Sequence, residues 1–380
     1  MRITRVRATN FRAISEVDLE LGPLTVVIGP NGAGKSTLLD VLHLFSGIES
    51  PDYFNNSFPR WGGYFATARY GAVDAALSIG VRVQNADTCL NYDVNFAGET
   101  SGCFVRSETL TRGDDDGKAA EQLLTRTDAR VEFLAKDGKV QASRWQHGPQ
   151  ISLPALRANM PVADEFVATA KRTSLWQVHR FQPNQVVRAP QQLQPTRLPS
   201  PDGTNLFSAI YGLKTERRRT YADFLEALQR AVPELEELEF PLAGAGHVNM
   251  TWKQSNFSQP FYSNQLSDGV LRLVWLLTVL YSVPDDGLVL LDEPELSLHP
   301  QWLLLLVSLL RKTSARTNLV VATQSAELVR WLEPSELVIA ELAESGTTFH
   351  RATDHPNLDK WLKDFSLSEL WTMGELGGRR

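Results

Sequence analysis

The stretch LTVVIGPNGAGKSTLL, residues 24–39, decides the fold class of this chain. Its first five residues are apolar or β-branched and suit a buried strand, and a helix follows from about Ser36. Between the two, the G-x-x-x-x-G-K-S spacing that starts at Gly29 makes a tight loop whose backbone amides can point inward at phosphate oxygens. The helix N-terminus adds its partial positive charge at the same place. The stretch therefore predicts a phosphate-binding loop between a core strand and a helix of an α/β fold.

The side chains of this loop suit the phosphates of a nucleoside triphosphate and a magnesium ion. Lys35 is a cation that can bridge the β- and γ-phosphates, and the hydroxyl of Ser36 can bind Mg²⁺. We therefore predict that the chain binds ATP and Mg²⁺. The predicted nucleotide-binding residues of the loop are Asn31, Gly32, Ala33, Gly34, Lys35, Ser36 and Thr37.

A second segment, GLVLLDEPELSLHP at residues 287–300, places two adjacent acids after a buried strand. Such a pair is costly to desolvate unless a cation meets it. A magnesium ion held by Ser36 and, through water, by Asp292 would be that cation. Glu293 would then polarise the attacking water as a general base. The alternative is a structural acid pair that caps the next helix.

Two further segments place polar residues at the ends of predicted elements. In QLSDGVLRL a helix begins, where Ser267 suits the N-cap and Gly269 lets the backbone approach another group closely. In VVATQSAEL a buried strand runs into Gln324 and Ser325. The carboxyl ends of core strands are where α/β proteins bind their ligands, so we expect this glutamine to belong to the site.

Composition and charge narrow the class of protein. The 380 residues carry 38 basic and 44 acidic side chains, a net charge of −6, so any contact with nucleic acid must come from a local basic patch. The runs ERRRT (216–220) and KR (171–172) are candidates for contact with DNA, although such runs also form solvated helix faces. Two cysteines, no apolar leader and no apolar run of about 18 residues predict a cytoplasmic protein without disulfides or membrane contact.

Three regions follow from the coarse pattern along the chain. Residues 1–150 hold three strands, the phosphate-binding loop, a helix and then a strand-rich stretch that predicts a β subdomain. Residues 151–265 predict an inserted lobe of helices and mixed structure. Residues 266–380 return to an alternation of helix and strand, which together with the first region predicts one α/β core. We find no heptad run long enough for a coiled coil.

Together these segments resemble an ABC-type ATPase of the SMC and RecF-like branch, a sub-group often called simply AAA-family ATPases. The resemblance rests on residues 3–37, 266–275, 287–300 and 319–328, and LSDG is a form of the family's LSGGQ-type signature in which Asp268 replaces a glycine. Overcoming-lysogenization-defect (OLD) nucleases and phage-defence ATPases have related ATPase parts. The resemblance implies an α/β, P-loop ATPase head with an antiparallel β subdomain, a mixed helical lobe and no long coiled coil.

In the family's shared mechanism, the signature of one chain contacts the ATP that is bound to a second chain. The resemblance implies that ATP bound at Lys35 and Ser36 of one protomer meets Ser267 and Gly269 of another. Two ATP molecules would then join a head-to-tail homodimer, and hydrolysis of ATP would release it.

Two more positions carry over from the family by their place in the chain. In NFRAI, Arg12 corresponds to a residue that touches the phosphates, with an ordinary surface arginine as the alternative. In FQPN, Gln182 follows a strand where the family's Q-loop glutamine lies, which makes it a predicted ligand of Mg²⁺ or of its water. The predicted metal ligands are thus Ser36, Gln182 and Asp292.

Gln324 stands where most ABC-type ATPases have a histidine that hydrogen-bonds the γ-phosphate and the attacking water. A glutamine amide can donate to a phosphate oxygen and accept from water, but it cannot carry a charge. We therefore predict that Gln324 acts in catalysis beside Glu293 by positioning, with slow turnover and a long-lived ATP-bound state. The alternative is that Gln324 caps the following helix with Ser325.

The resemblance leaves three functions open. The first is an ATP-hydrolysing sensor or regulator in DNA maintenance or anti-phage defence, working with a separate effector such as a nuclease because no nuclease motif is evident here. The second is a nucleotide-dependent scaffold whose hydrolysis is incidental. The third, the nucleotide-binding subunit of a transporter, is disfavoured because 231 residues separate Ser36 from Ser267, far more than in such subunits.

Overall fold

The computed structural model describes residues 2–50, 57–69, 76–84, 88–99, 102–113, 120–146, 150–172, 178–179, 181–194, 196, 198–344 and 346–377. The α-helices in these ranges are α1 (Lys35–Leu44), α2 (Tyr64–Thr67), α3 (Pro161–Arg172), α4 (Gln185–Arg188), α5 (Leu206–Glu216), α6 (Arg218–Ala231), α7 (Asp268–Ser282), α8 (Gln301–Ser314), α9 (Ala326–Val329), α10 (Leu358–Trp361) and α11 (Leu367–Met373). The strands are β1 (Arg2–Phe11), β2 (Ile14–Glu20), β3 (Leu24–Ile28), β4 (Leu77–Gln84), β5 (Cys89–Glu99), β6 (Gly102–Arg112), β7 (Glu121–Thr127), β8 (Arg130–Leu134), β9 (Val140–Arg144), β10 (Val178–His179), β11 (Gln191–Gln192), β12 (Leu235–Glu239), β13 (His247–Val248), β14 (Thr251–Gln254), β15 (Phe261–Tyr262), β16 (Leu288–Asp292), β17 (Asn318–Thr323), β18 (Leu337–Ala343) and β19 (Gly346–Arg351).

A 14-stranded sheet runs through the protein in the order β10-β16-β17-β3-β18-β19-β2-β1-β4-β5-β6-β7-β8-β9. Its first five strands are parallel to one another, and β17 lies between β16 and β3. Because neighbouring parallel strands point the same way, their carboxyl ends meet at one edge of the sheet. That edge brings together the phosphate-binding loop after β3, the acid pair at the end of β16 and Gln324 after β17.

The parallel strands read as unbroken apolar runs because helices cover both faces of this part of the sheet. Successive side chains of a strand point to opposite faces. On β3, Val27 lies in the core that includes α1, whereas Val26 and Ile28 lie in the core that includes α7 and α8. On β17, Val320 and Val321 divide between the same two cores. Two cores thus clamp the strands whose ends carry the candidate site.

From β2 to β9 the sheet is antiparallel and forms the β subdomain. A fully buried carboxylate ties this subdomain to the segment that precedes α3. Glu108 on β6 accepts hydrogen bonds from the Tyr92 hydroxyl at 2.8 Å and from the backbone amides of Ser152 and Leu153 at 2.7 and 2.9 Å. The buried charge is therefore satisfied by several donors, as a buried carboxylate requires.

The remaining lobe consists of α5 and α6 with two small sheets, β11-β13 and β12-β14-β15. It shares the core of α7 and α8, so the lobe is continuous with the half of the protein that holds the parallel strands. The longest α-helix in the described ranges is α7, with 15 residues, and that length excludes a long coiled-coil arm within them. None of the described helices has both the length and the apolar character needed to cross a membrane.

Candidate active site

The phosphate-binding loop has the tight geometry that its glycines allow. Gly34, the residue before α1, has a φ of 82°, and Gly32 has a φ of 81°. Residues with a Cβ are strained at such angles. A Cβ on Gly34 would also lie 2.8 Å from the hydroxyl oxygen of Thr347. Glycine is therefore required at Gly34 by conformation and by space, and at Gly32 by conformation.

The Lys35 side chain lies folded over this loop. It is 6% exposed, and its Nζ donates hydrogen bonds to the carbonyl oxygens of Gly29 at 2.8 Å and Pro30 at 3.0 Å. Burial lowers the pKa of Lys35, and nearby carboxylates, Glu293 first among them, oppose that shift. The loop thus holds an ammonium group at the place where its sequence predicts a phosphate contact.

The phosphate-binding loop and the acidic strand end meet directly. Ser36 Oγ donates to the carboxylate of Asp292, at 2.9 Å from Oδ2 and 3.2 Å from Oδ1, although 256 positions separate the two residues. The parallel order β16-β17-β3 brings them together. Hydroxyl and carboxylate oxygens are ligands that Mg²⁺ prefers. This pair of oxygens therefore fits a magnesium ion.

Glu293 leaves β16 in a backbone conformation that side chains rarely adopt. Its φ is 47°, in the left-handed region, and such strain persists only where the surroundings hold it. Two hydrogen bonds do so here. The Glu293 amide donates to the Ala322 carbonyl at 2.8 Å, and Arg272 Nη2 donates to the Glu293 carbonyl at 2.8 Å. The candidate general base is therefore carried on a strained but fixed turn.

Gln324 lies half-buried at the end of β17, between the strands that carry the loop and the acid pair. The helix that follows is capped by Ser325, whose hydroxyl accepts from the Leu328 amide at 3.2 Å. Among the described residues, no hydrogen bond is formed by the Gln324 amide group. Capping of α9 therefore does not use Gln324, and its side chain remains available for a ligand.

Three residues that the sequence analysis does not select lie directly behind these strand ends. Thr323 Oγ1 donates a hydrogen bond to Glu295 Oε1, and Arg272 reaches the same loop from α7. All three side chains are buried. Burial raises the pKa of Glu295 to about 7, the Thr323 hydrogen bond opposes the rise, the charge of Glu293 adds to it, and Arg272 opposes it. Two local signals point to two of these residues: a third acid in DEPE to Glu295, and a single arginine within the apolar run of α7 to Arg272.

Glu295 is expected to make stability depend on pH. Its pKa rises from 4.5 to about 7 on folding, so the folded protein binds more protons between these values. The stabilisation is present below pH 4.5 and is lost as the pH rises through 7. The parent loses this stabilisation with rising pH and Glu295→Gln does not. In this window we therefore expect the free energy of unfolding of Glu295→Gln, relative to that of the parent, to increase by about 1.4 kcal/mol per pH unit. Urea unfolding of both proteins at pH 4.5 and 7.5 measures it, and a constant difference would contradict it.

The signature segment is anchored to its own chain at the start of α7. Ser267 is the N-cap, and its hydroxyl accepts from the backbone amide three residues on, at 3.3 Å. A Cβ on Gly269 would lie 2.4 Å from the carbonyl oxygen of Ser297, so glycine permits α7 to approach the loop after β16. Asp268 forms an ion pair with Arg188 of α4. The start of α7 therefore packs against the loop after β16 and is tied to α4.

The two positions taken from the family by their place in the chain lie at the margins of the site. Arg12 sits in the β1–β2 turn with a φ of 51°, and its guanidinium forms an ion pair with Asp40 on α1. Gln182 is exposed and follows β10, which pairs with β16 in parallel. The chain after β10 thus leaves the sheet at the edge where Asp292 lies. Arg12 has a structural partner beside the loop, and the role of Gln182 as a ligand stays a prediction.

The two basic runs that are candidates for contact with DNA cannot be joined into one surface from the described residues. In ERRRT, Arg217 Nη1 donates to the carbonyl oxygen of Ser282 at 3.4 Å, which helps to satisfy the C-terminal end of α7. The side chains of KR at 171–172 lie outside the described residues. DNA contact stays a prediction.

Fold and site together define an ABC-type ATPase of the SMC and RecF-like branch. The chain is similar to the crystal structure of an SMC head bound to the C-winged helix domain of ScpA, with a TM-score of 0.51 and 14% identity over 92% of this chain and 97% of that one. An SMC head with an extended coiled coil, bound to the C-terminal domain of ScpA derived from Pyrococcus furiosus, gives a TM-score of 0.49 and 12% identity over 96% of this chain and 100% of that one. The first likeness confirms the predicted α/β head.

The family model described as "AAA domain, putative AbiEii toxin, Type IV TA system" matches residues 24–330, and the chain belongs to this family. The chain is also 31% identical over 176 residues to the OLD nuclease of Thermus scotoductus (strain ATCC 700910 / SA-01). That match covers 43% of this chain and 31% of the length of the nuclease. The predicted relationship to AAA-family ATPases of the OLD type is therefore confirmed.

Proposed function

We propose that this protein binds ATP with Mg²⁺, hydrolyses it and uses the ATP-bound state to join two copies of itself. One observation carries the proposal. The Ser36 hydroxyl is hydrogen-bonded to the Asp292 carboxylate at one edge of the sheet, with Glu293 next in the chain and Gln324 on the strand between. Parallel topology thus gathers a phosphate-binding loop, an acid pair and Gln324 in one place. We call Gln324 the switch residue, because it stands at the position of the family's histidine that contacts the γ-phosphate.

For binding, the loop amides and the N-terminus of α1 would surround the β-phosphate, and Lys35 would neutralise the β- and γ-phosphates. Ser36 and Asp292 would hold Mg²⁺, with Gln182 as a further ligand of the ion or its water. When bound, that ion supplies charge neutralisation to the phosphate oxygens. Arg12 is the remaining candidate contact, and it would have to act while paired with Asp40 or exchange that partner.

For hydrolysis, a water oxygen forms a bond to the γ-phosphorus, and the bond from that phosphorus to the β–γ bridging oxygen breaks. The bridging oxygen leaves with the electron pair on ADP. Glu293 accepts the proton that the water loses, so its strained turn would serve to hold the carboxylate in place. Gln324 would orient the water without adding charge, which fits slow turnover.

The signature residues support assembly with a second chain. Besides the N-cap bond of Ser267, hydrogen bonds join the start of α7 to α4 and to the loop after β16. Ser267 and Asp268 are nevertheless exposed at a helix N-terminus. The N-terminus of a helix attracts phosphate, because its free backbone amides carry partial positive charge. We therefore assign Ser267 and Gly269 to the ATP held by the other copy in a head-to-tail dimer.

Sedimentation tests this assembly. With ATP and Mg²⁺ we expect a particle of about twice the chain mass of 42.4 kDa, and without ATP the monomer. Ser267→Arg should abolish the ATP-dependent increase, because a long cation at the N-cap blocks close approach of the second chain. Ser366→Arg is the matched control, since Ser366 is also an exposed N-cap serine but belongs to α11. A Ser267→Arg protein that still dimerises with ATP would contradict the assignment.

The cellular role we propose is that of a sensor or regulator in anti-phage defence or DNA maintenance. The family description, which names a putative AbiEii toxin, and the similarity to an OLD nuclease support that setting. No nuclease motif is evident in the sequence, so we assign any cleavage of nucleic acid to a separate effector protein. The glutamine at the switch position supports a long-lived ATP-bound state that waits for a trigger. Contact with DNA is a further proposal.

A further inference from the structure

Glu295 connects two loops that the reaction has to keep in register. It lies in the turn after β16, two residues beyond Glu293, and its Oε1 accepts a hydrogen bond from Thr323 Oγ1 at the tip of β17. The same Thr323 oxygen accepts a hydrogen bond from the Ser325 amide at 3.0 Å. A continuous path thus runs from the loop of Glu293, through two side chains, to the residues on both sides of Gln324.

We propose that Glu295 and Thr323 are positioning residues for ATP hydrolysis, which hold the general base Glu293 and the switch residue Gln324 at a fixed separation. This inference rests on the proposed function and deepens it. Neither residue touches the nucleotide in this scheme. They act through the backbone, because Glu295 belongs to the strained turn of Glu293 and Thr323 precedes Gln324 directly.

The composition of this contact favours positioning over simple packing. Glu295 is 8% exposed, and its second oxygen, Oε2, has no hydrogen-bond partner among the described residues. A buried polar atom without a partner costs stability. An apolar contact could join the two loops without that cost, since buried polar pairs are often replaced by apolar residues without loss of stability. A directional hydrogen bond instead fixes the angle and distance between loops, which catalysis requires.

Arg272 supports the same arrangement from the third side. The residue is 4% exposed, and its guanidinium donates a hydrogen bond from α7 to the Glu293 carbonyl at 2.8 Å. The turn of Glu293 is therefore held from α7 on one side and from β17, through Glu295, on the other. The signature helix, the general base and the switch residue are thereby kept in one frame within each copy.

The test is steady-state kinetics of a matched set of threonine variants. Thr323→Val keeps the shape and the β-branch but removes both hydrogen bonds, so we expect kcat to fall about 10-fold with KM for ATP changed less than about threefold. Thr323→Ser restores the hydroxyl and should recover most of the lost kcat. Thr317→Val is the control: Thr317 is also fully buried, it precedes the other end of β17, and its hydroxyl has no partner in the described chain.

A double-mutant cycle assigns the effect to the pair. Glu295→Met removes the acceptor at similar volume and should reduce kcat as much as Thr323→Val. The double variant should be no slower than either single variant, because the same contact is lost only once. Gln324→Ala shows how much kcat falls when the side chain of the switch residue itself is removed. Calorimetric ATP binding and thermal unfolding of each variant show that the losses concern turnover and not folding.

The outcomes separate this inference from the function on which it rests. If the parental protein hydrolyses ATP and Thr323→Val does so at the parental rate, positioning by the pair is wrong while the ATPase stands. If kcat falls, KM for ATP rises, thermal stability drops and serine does not recover them, the pair is structural. If the parental protein does not hydrolyse ATP at all, both the proposed function and this inference fail.

Discussion

Replacing Lys35 by alanine is expected to weaken ATP binding by about 100-fold or more, which makes it the most damaging single change at the site. Lys35 would make charge-assisted hydrogen bonds to the β- and γ-phosphates, and such bonds contribute about 1.5–3 kcal/mol each. The loop amides alone would leave the negative charge of the γ-phosphate without a cation from the protein. Isothermal titration calorimetry with ATP and Mg²⁺ measures the affinity directly.

A second lysine provides the control for this prediction. Lys312 is an exposed lysine in the last turn of α8, and its ammonium lies over the ring of Tyr281. Lys312→Ala should therefore keep parental ATP affinity. Thermal unfolding of both variants checks the fold, since Lys35 also donates to the carbonyls of Gly29 and Pro30. Unchanged ATP affinity in a folded Lys35→Ala protein would end the nucleotide assignment.

Glu293→Gln is expected to lower kcat by about 10²–10⁴-fold, the contribution of a general base, and to leave ATP binding nearly intact. The amide keeps the size of the carboxylate but cannot accept the proton that the attacking water loses. The variant should therefore retain ATP and accumulate as a dimer. Phosphate release under steady-state conditions measures the first effect, and sedimentation with ATP measures the second.

Glu226→Gln on α6 is the control, because Glu226 is exposed and forms a surface ion pair with Arg230. It should leave turnover and mass unchanged. A Glu293→Gln protein that turns over ATP at the parental rate would remove Glu293 from the mechanism. A Glu293→Gln protein that loses turnover but shows no ATP-dependent increase in mass would support Glu293 as the general base. It would contradict release of the dimer by hydrolysis.

The motifs of the site could be predicted because each obeys a local rule. A loop that wraps phosphate needs glycine at positions such as Gly32 and Gly34, whose φ values lie in the left-handed region. A strand buried on both faces needs an apolar run, as in β3, β16 and β17. Polar residues that end such a run stand out, which is how Asp292 and Gln324 are found. The α/β class and the strand-rich β subdomain follow from the same patterns, whereas the antiparallel order of that subdomain was implied by the family resemblance.

The contacts behind the site could not be predicted because they depend on which strands become neighbours. Glu295 meets Thr323 only since β16 pairs with β17 in a register that sets Asp292 opposite Ala322. The sequence does not indicate which residues Arg272 of α7 and Glu295 of DEPE will contact. Likewise Gly269 indicates a close approach, but the sequence does not say that the neighbour is the carbonyl of Ser297.

By itself the sequence determined the chemistry that each segment can offer: a phosphate loop, an acid pair, a helix start with a serine cap, and a glutamine at a strand end. These features depend on backbone conformation and burial over a few residues, so they can be recognised from the sequence without knowledge of the fold. Only the tertiary structure decided how they are coupled. Ser36 meets Asp292 across 256 positions, and Arg188 meets Asp268 across 80, because parallel strand order and helix packing bring distant segments together. Such contacts depend on the global arrangement of the core, which no local pattern specifies.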